Sequence, residues 1–146
     1  KIDPYRTAFG IVRAHILVER GKPLTREAVV EAVRAGRFFV GFDAAGDTSG
    51  FTFTAESGSK RVPMGGEAVS SPDTRFVVEL PAATGFTIFR NGEKWTDQSL
   101  AGKREHRHVF FNITEPGAYR VEVYRDDVGT AFRTMPWILS NPIYVR

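Results

Sequence analysis

Two hydrophobic periods run along this chain. Ile11-Val12-Arg13-Ala14-His15-Ile16-Leu17-Val18 is apolar and β-branched, which predicts an extended segment ended by Gly21-Lys22-Pro23. A 3.6-residue period follows, with Ala28, Val29, Ala32 and Val33 on one helical face. Thr25 is placed to cap that helix, Glu27 lies in its first turn and Arg34 in its last, where their charges oppose the backbone dipole. Gly36 suits the left-handed residue after the C-terminus, so one helix is expected over about Arg26 to Ala35.

From Arg37 the period falls to two. Phe38 to Phe42 reads as a buried strand, and Phe51, Phe53 and Ala55 alternate with Thr52 and Thr54 as a half-buried one. Ala68 to Ser70 is a short edge candidate, and Arg75 to Leu80 is a strand stopped by Pro81. Thr87 to Trp95 predicts a hairpin turning at Asn91-Gly92, the pair that supplies the two positive φ angles of a type I′ turn. Val109, Phe111 and Ile113 share a parity, as do Tyr119, Val121 and Val123 beyond Glu115-Pro116-Gly117. Setting the two rows side by side predicts a hairpin pairing Val109 with Val123, Phe111 with Val121 and Ile113 with Tyr119. Asn141 to Arg146 reads as a closing strand. About seven short strands with frequent turns predict a mainly β chain, an immunoglobulin-like β-sandwich preceded by one α-helix. Tyr119, following a Pro-Gly turn, fits the tyrosine corner of such folds.

Composition narrows the classes. With 146 residues, 42% hydrophobic and 25% charged, the chain has the balance of a folded domain, and no apolar run is long enough for a membrane-spanning helix. A net charge of +3 from 20 basic and 17 acidic residues is too small and too dispersed for a nucleic-acid footprint. The absence of cysteine excludes disulfides, thiolate metal sites and cysteine nucleophiles. The start at Lys1-Ile2-Asp3-Pro4 has neither an initiator Met nor a signal-peptide pattern, as expected of an excised or processed piece.

Two stretches carry a resemblance. Leu24 to Val40 (LTREAVVEAVRAGRFFV) resembles the late helix and strand of bacterial PHP-type metallohydrolases, the polymerase and histidinol phosphatase-like phosphoesterases. Pro136 to Val145 (PWILSNPIYV) is similar to the close of the CehA/McbA-like members, whose chains continue past the catalytic barrel into a β-sandwich. Pro116 to Val123 fits the same tail. The resemblance implies a metal-dependent phosphoesterase as the parent protein and allows an extracytoplasmic location. The family's early His-x-His strand and late Asp-x-His motif have no counterpart here, so no catalytic ligand carries over. The expectation is the C-terminal part of such a hydrolase, cut just downstream of its last metal ligand.

Several residues invite chemistry of their own. His106 and His108, two apart on a strand, project from one face, and the hairpin register brings Asp126 beside His106. Two imidazoles and a carboxylate match a zinc site with an open position for water, although a solvated outer face is the commoner setting for such residues. The same face would carry Phe110 and Tyr124 beside Asn112, Arg120 and Glu122, a combination suited to docking a domain or a sugar ring. Asp43 and Asp47 lack the alternating ligands of a calcium loop, Met64-Gly65-Gly66 lacks the Lys and helix of a phosphate loop, and Lys103, Arg104 and Arg107 make a small basic turn. Asn112-Ile113-Thr114 matches a glycosylation sequon but sits in the expected hairpin.

The combined reading divides the chain into 1-42, a helix-containing segment bordering a catalytic domain, and 43-146, the sandwich. Its role is that of a non-catalytic accessory domain, without a cofactor of its own, packed on the N-terminal catalytic domain. The alternatives are a carbohydrate or cell-surface ligand module and a small metal site at His106, His108 and Asp126.

Overall fold

The structure, a computed structural model, describes residues 4–81, 85–100, 106–130 and 134–146. The chain is mainly β, two sheets packed face to face. Two helices, α1 (Pro4–Ile11) and α2 (Arg26–Arg34), flank β1 (Arg13–Ile16) near the N-terminus. Then follow β2 (Phe38–Gly41), β3 (Thr52–Ser57), β4 (Lys60–Pro63), β5 (Glu67–Ala68) and β6 (Arg75–Glu79). The remaining strands are β7 (Gly85–Arg90), β8 (Glu93–Ser99), β9 (Arg107–Phe110), β10 (Gly117–Tyr124), β11 (Ile138–Ser140) and β12 (Ile143–Val145).

Helix α2 forms as its sequence predicts. The Thr25 hydroxyl accepts from the Ala28 amide at 3.2 Å. At the other end Gly36 takes φ +68°, its amide reaches the Val33 carbonyl, and the Arg37 amide reaches that of Ala32. Those two bonds make a Schellman closure, which satisfies carbonyls the last turn would leave orphaned. Of the predicted apolar face only Ala32 is fully buried; Val33 is 44% exposed. Helix α1 is an element that the apolar pattern from Ile11 did not predict, and it begins on a proline, the residue that loses least at a helix start.

The larger sheet is organised around β10. One of its edges carries β7 in a six-pair antiparallel ladder, from Tyr119 opposite Arg90 to Tyr124 opposite Gly85. The other edge is shared: β12 pairs with Gly117 to Tyr119 and β11 with Glu122 and Val123. Between those two short ladders the buried Val121 amide donates to the Ser140 hydroxyl at 2.7 Å, so a side chain supplies the acceptor where Asn141-Pro142 turns the chain away. From β11 the sheet continues to β2 and then to β1, while β12 pairs in parallel with β5, and β8 lies outside β7. The segment 1-42 therefore contributes β1 and β2 to the larger sheet. The smaller sheet has the order β4-β3-β6-β9.

With both edges of β10 occupied, β9 pairs with β6 in the opposite sheet: Phe76 faces Phe110 and Val78 faces His108. The predicted pairing of 109–113 with 119–123 is corrected by this arrangement. A local feature accompanies it. Asn112 adopts φ +58°, a left-handed conformation that breaks the two-residue alternation. Phe110 therefore packs against the core, Phe111 stands 64% exposed, and Ile113 turns back in at 1%.

The core lies between the sheets. Phe76 from β6 meets Tyr119 from β10 with ring centroids 4.8 Å apart, and Trp95 closes on both edge-on. Trp95 reaches them because β8 is bulged: Ile88 pairs with Thr96 but Phe89 with Lys94, so one extra residue turns inward. The Tyr119 hydroxyl donates to the Glu115 carbonyl at 2.8 Å, the bond expected of a tyrosine corner, and burial pushes its pKa up. The Asn91-Gly92 turn has both φ angles positive, as predicted.

A second junction joins α2 to the sandwich. Gly65, at φ +83°, lies so near the end of α2 that a Cβ there would sit 1.8 Å from the Ala35 carbonyl oxygen. Asn141 Nδ2 donates to the Gly36 carbonyl at 3.0 Å, and the Gly65 amide donates to that of Pro142 at 2.7 Å. Gly65→Ala should cost at least about 3 kcal/mol by clash and strain together, whereas Gly58→Ala, equally left-handed but open on all sides, should cost about 1–2 kcal/mol. Ser140→Ala should cost about 1–3 kcal/mol by leaving the Val121 amide without its acceptor. Urea unfolding of the three variants measures all three values.

Candidate functional site

Alternation along β10 buries Tyr119, Val121 and Val123 and sends Arg120, Glu122 and Tyr124 to the outer face of the larger sheet. The β7 register sets Phe89 beside Arg120 and Thr87 beside Glu122, and the β8 register sets Asp97 beside Thr87 and Lys94 beside Phe89. Thr87, Phe89, Lys94, Asp97 and Tyr124 from these rows line an open groove of about 760 Å³, with Arg120 and Glu122 beside it on the same face. Arg120 lays its guanidinium over the Phe89 ring at 4.4 Å and pairs with Glu122, which also accepts from the Tyr124 hydroxyl at 2.6 Å. Burial, reinforced by the Glu122 carboxylate, pushes the Tyr124 phenol well above its ordinary range. Thr87, itself buried, donates to Asp97 Oδ1 at 2.6 Å. That bond, with Lys94 at 3.4 Å, holds the Asp97 carboxyl below the usual range, so the group stays ionised in the groove.

The five residues assigned to one face in the sequence analysis do not share it. Arg120, Glu122 and Tyr124 line the outer face of the larger sheet, whereas Phe110 belongs to the smaller sheet and packs inward against Phe86 and Trp95. Asn112 lies in the left-handed turn after β9. The metal candidates are separated as well. His106 Nδ1 lies 3.1 Å from the Leu80 carbonyl, the His108 ring packs on Phe86 at 4.9 Å, and Asp126 begins a 3-10 turn beyond β10. Among the described residues no three His, Cys, Asp or Glu side chains are grouped to hold a metal ion. Lys103 and Arg104 lie outside the described residues, and Arg107 pairs with Glu79 on the outer face of the smaller sheet.

Another polar cluster joins residues far apart in the sequence, of which the sequence analysis singles out only Asp43, for calcium. His15 Nε2 lies 3.0 and 3.1 Å from the Asp43 carboxylate oxygens and 2.9 Å from the Thr48 hydroxyl, which donates to Asp43 at 2.6 Å. The His15 ring stacks on Phe39 at 4.6 Å. A hydrolytic relay uses one imidazole nitrogen for the nucleophile and the other for the carboxylate. Here both partners meet the same nitrogen and Thr48 is fully buried, so the cluster clips the loop after β2 onto edge strand β1.

The N-terminal elements show a different surface. Eight of the twelve large apolar side chains exposed among the described residues are Tyr5, Phe9, Ile11, Val12, Ile16, Leu24, Val30 and Val33. Tyr5 and Phe9 are each 75% exposed and Leu24 is 78% exposed. Among the described residues β1 pairs only with β2, which leaves its outer edge open.

Replacing Thr87 with Val should return the Asp97 carboxyl pKa toward its ordinary value, as read by NMR titration of the carboxyl carbon. Because the folded pKa lies below the unfolded one, the stabilisation from this bond is present above about pH 3.9 and is lost as pH falls through the depressed value. The stability gap between the native chain and Thr87→Val should therefore narrow in acid.

Neither a protein-family model, a curated protein nor a solved structure matches this chain.

Proposed function

We propose that this chain is a non-catalytic accessory domain of a PHP-like metal-dependent hydrolase, and that it packs on the catalytic domain through α1, the open edge of β1 and α2. The concentration of exposed apolar side chains in Tyr5 to Val33 carries the reading. A large apolar side chain gains roughly 1.5–3 kcal/mol on full burial, so a run of them left in water marks a surface that another protein surface covers. The β1 edge adds a row of backbone donors and acceptors that a partner strand can satisfy.

The arrangement of the resembling stretches supports the parentage. Residues 24–40 and 136–145 lie far apart in sequence, yet β2 and β11 pair directly, with Phe39 opposite Ser140 and Gly41 opposite Ile138. Asn141 then reaches the end of α2. The two stretches thus form one structural unit.

Hydrogen exchange tests the docking. In a longer protein that includes the PHP-like domain, the α2 amides and the outward amides of β1 should exchange at least about tenfold more slowly than in the 146-residue chain. Equal rates in the two proteins would sink the proposal. Manganese-dependent hydrolysis of a phosphoester should belong to the longer protein alone; hydrolysis by the short chain that vanishes in His106→Ala/His108→Ala would instead favour a metal site within this domain.

A further inference from the structure

We propose that the outer face of β7, β8 and β10 binds a neutral polyhydroxylated ligand, a short sugar chain, in the groove built on Thr87, Phe89, Lys94, Asp97 and Tyr124. This site is separate from the elements assigned to docking and does not depend on that reading.

The charges of the groove decide against an ionic ligand. Lys94 stands 3.4 Å from Asp97, and Arg120 pairs with Glu122, so an incoming anion or cation competes with a counterion already in place. A neutral ligand can use their remaining donors and acceptors without displacing either counterion. It gains from groups that are oriented but still reach solvent. The Asp97 side chain is 59% exposed; Thr87 holds its Oδ1 and Lys94 its Oδ2, and each oxygen keeps a further lone pair for a ligand hydroxyl. Lys94, also 59% exposed, brings donors alongside that acceptor. Adjacent donor and acceptor of this kind match the vicinal hydroxyls of a sugar. Sugars also present apolar C–H faces, and Phe89, which lines the groove on the same strand pair, supplies apolar surface beside these polar groups. At about 760 Å³ the groove falls within the roughly 300–1,000 Å³ typical of ligand clefts. Its position on a regular two-strand ladder fixes the spacing of these groups before any ligand arrives.

The test is an amide NMR titration of the 146-residue chain with cellobiose, maltose, xylobiose and chitobiose, each to about 50 mM. At least one should shift amides of β7 and β8 in a saturable way. Lys94→Ala, a change at an exposed side chain, should weaken that binding about tenfold, and Asp97→Ala by more, with the rest of the spectrum unchanged. The proposal is overturned if none of the four sugars shifts β7 or β8, if the shifts fall on other elements, or if both variants bind as well as the native chain.

Discussion

A strand has two edges, and in this protein both edges of β10 are occupied. The β7 ladder fills one side from Tyr119 to Tyr124, and β12 and β11 divide the other. Everything around it follows from that saturation. Strand β9 cannot return as a hairpin partner, so the chain crosses to the opposite sheet between Phe110 and Gly117. The crossing needs an abrupt change of direction, which Asn112 provides with its left-handed backbone, and it is secured where Tyr119 reaches back to the Glu115 carbonyl. The shared edge has a seam at Val121, closed by the Ser140 hydroxyl rather than a backbone carbonyl.

The same saturation separates the two faces of the larger sheet by function. The inward row of β10 joins Phe76, Trp95 and Phe86 in an aromatic core that spans both sheets. The outward row is freed from packing duty and carries the Arg120–Glu122–Tyr124 network beside Thr87 and Asp97. At the far end of the sheet the chemistry changes: α1, β1 and α2 leave aromatic and aliphatic side chains in water. One sheet therefore presents a polar groove at one end and an apolar surface at the other.

Local signals in the sequence carried over to the structure wherever the physics is local. Thr25 and Gly36 bounded α2 because capping involves only neighbouring backbone groups. Asn91-Gly92 turned its hairpin for the same reason, since two adjacent residues with positive φ specify it. The row Tyr119, Val121, Val123 was legible as a buried face because alternation persists unbroken along β10. The candidate site was half legible. Arg120, Glu122 and Tyr124 were found from that alternation, but Thr87 and Asp97 were not, because they join the face only through strand pairing.

What the sequence determined by itself was the class of the fold, the position of α2, its capping residues, and the parity of β10, all set by interactions a few residues apart. The tertiary structure alone decided which strand lies beside which. Val109, Phe111 and Ile113 match β10 in parity as well as any true partner, and parity says nothing about an edge already occupied. Only the assembled sheet, by filling both edges of β10, sent His108 and Phe110 into the core and parted them from Arg120 and Tyr124. Backbone hydrogen bonding is finite per strand, and that global count is not written in any short stretch of residues.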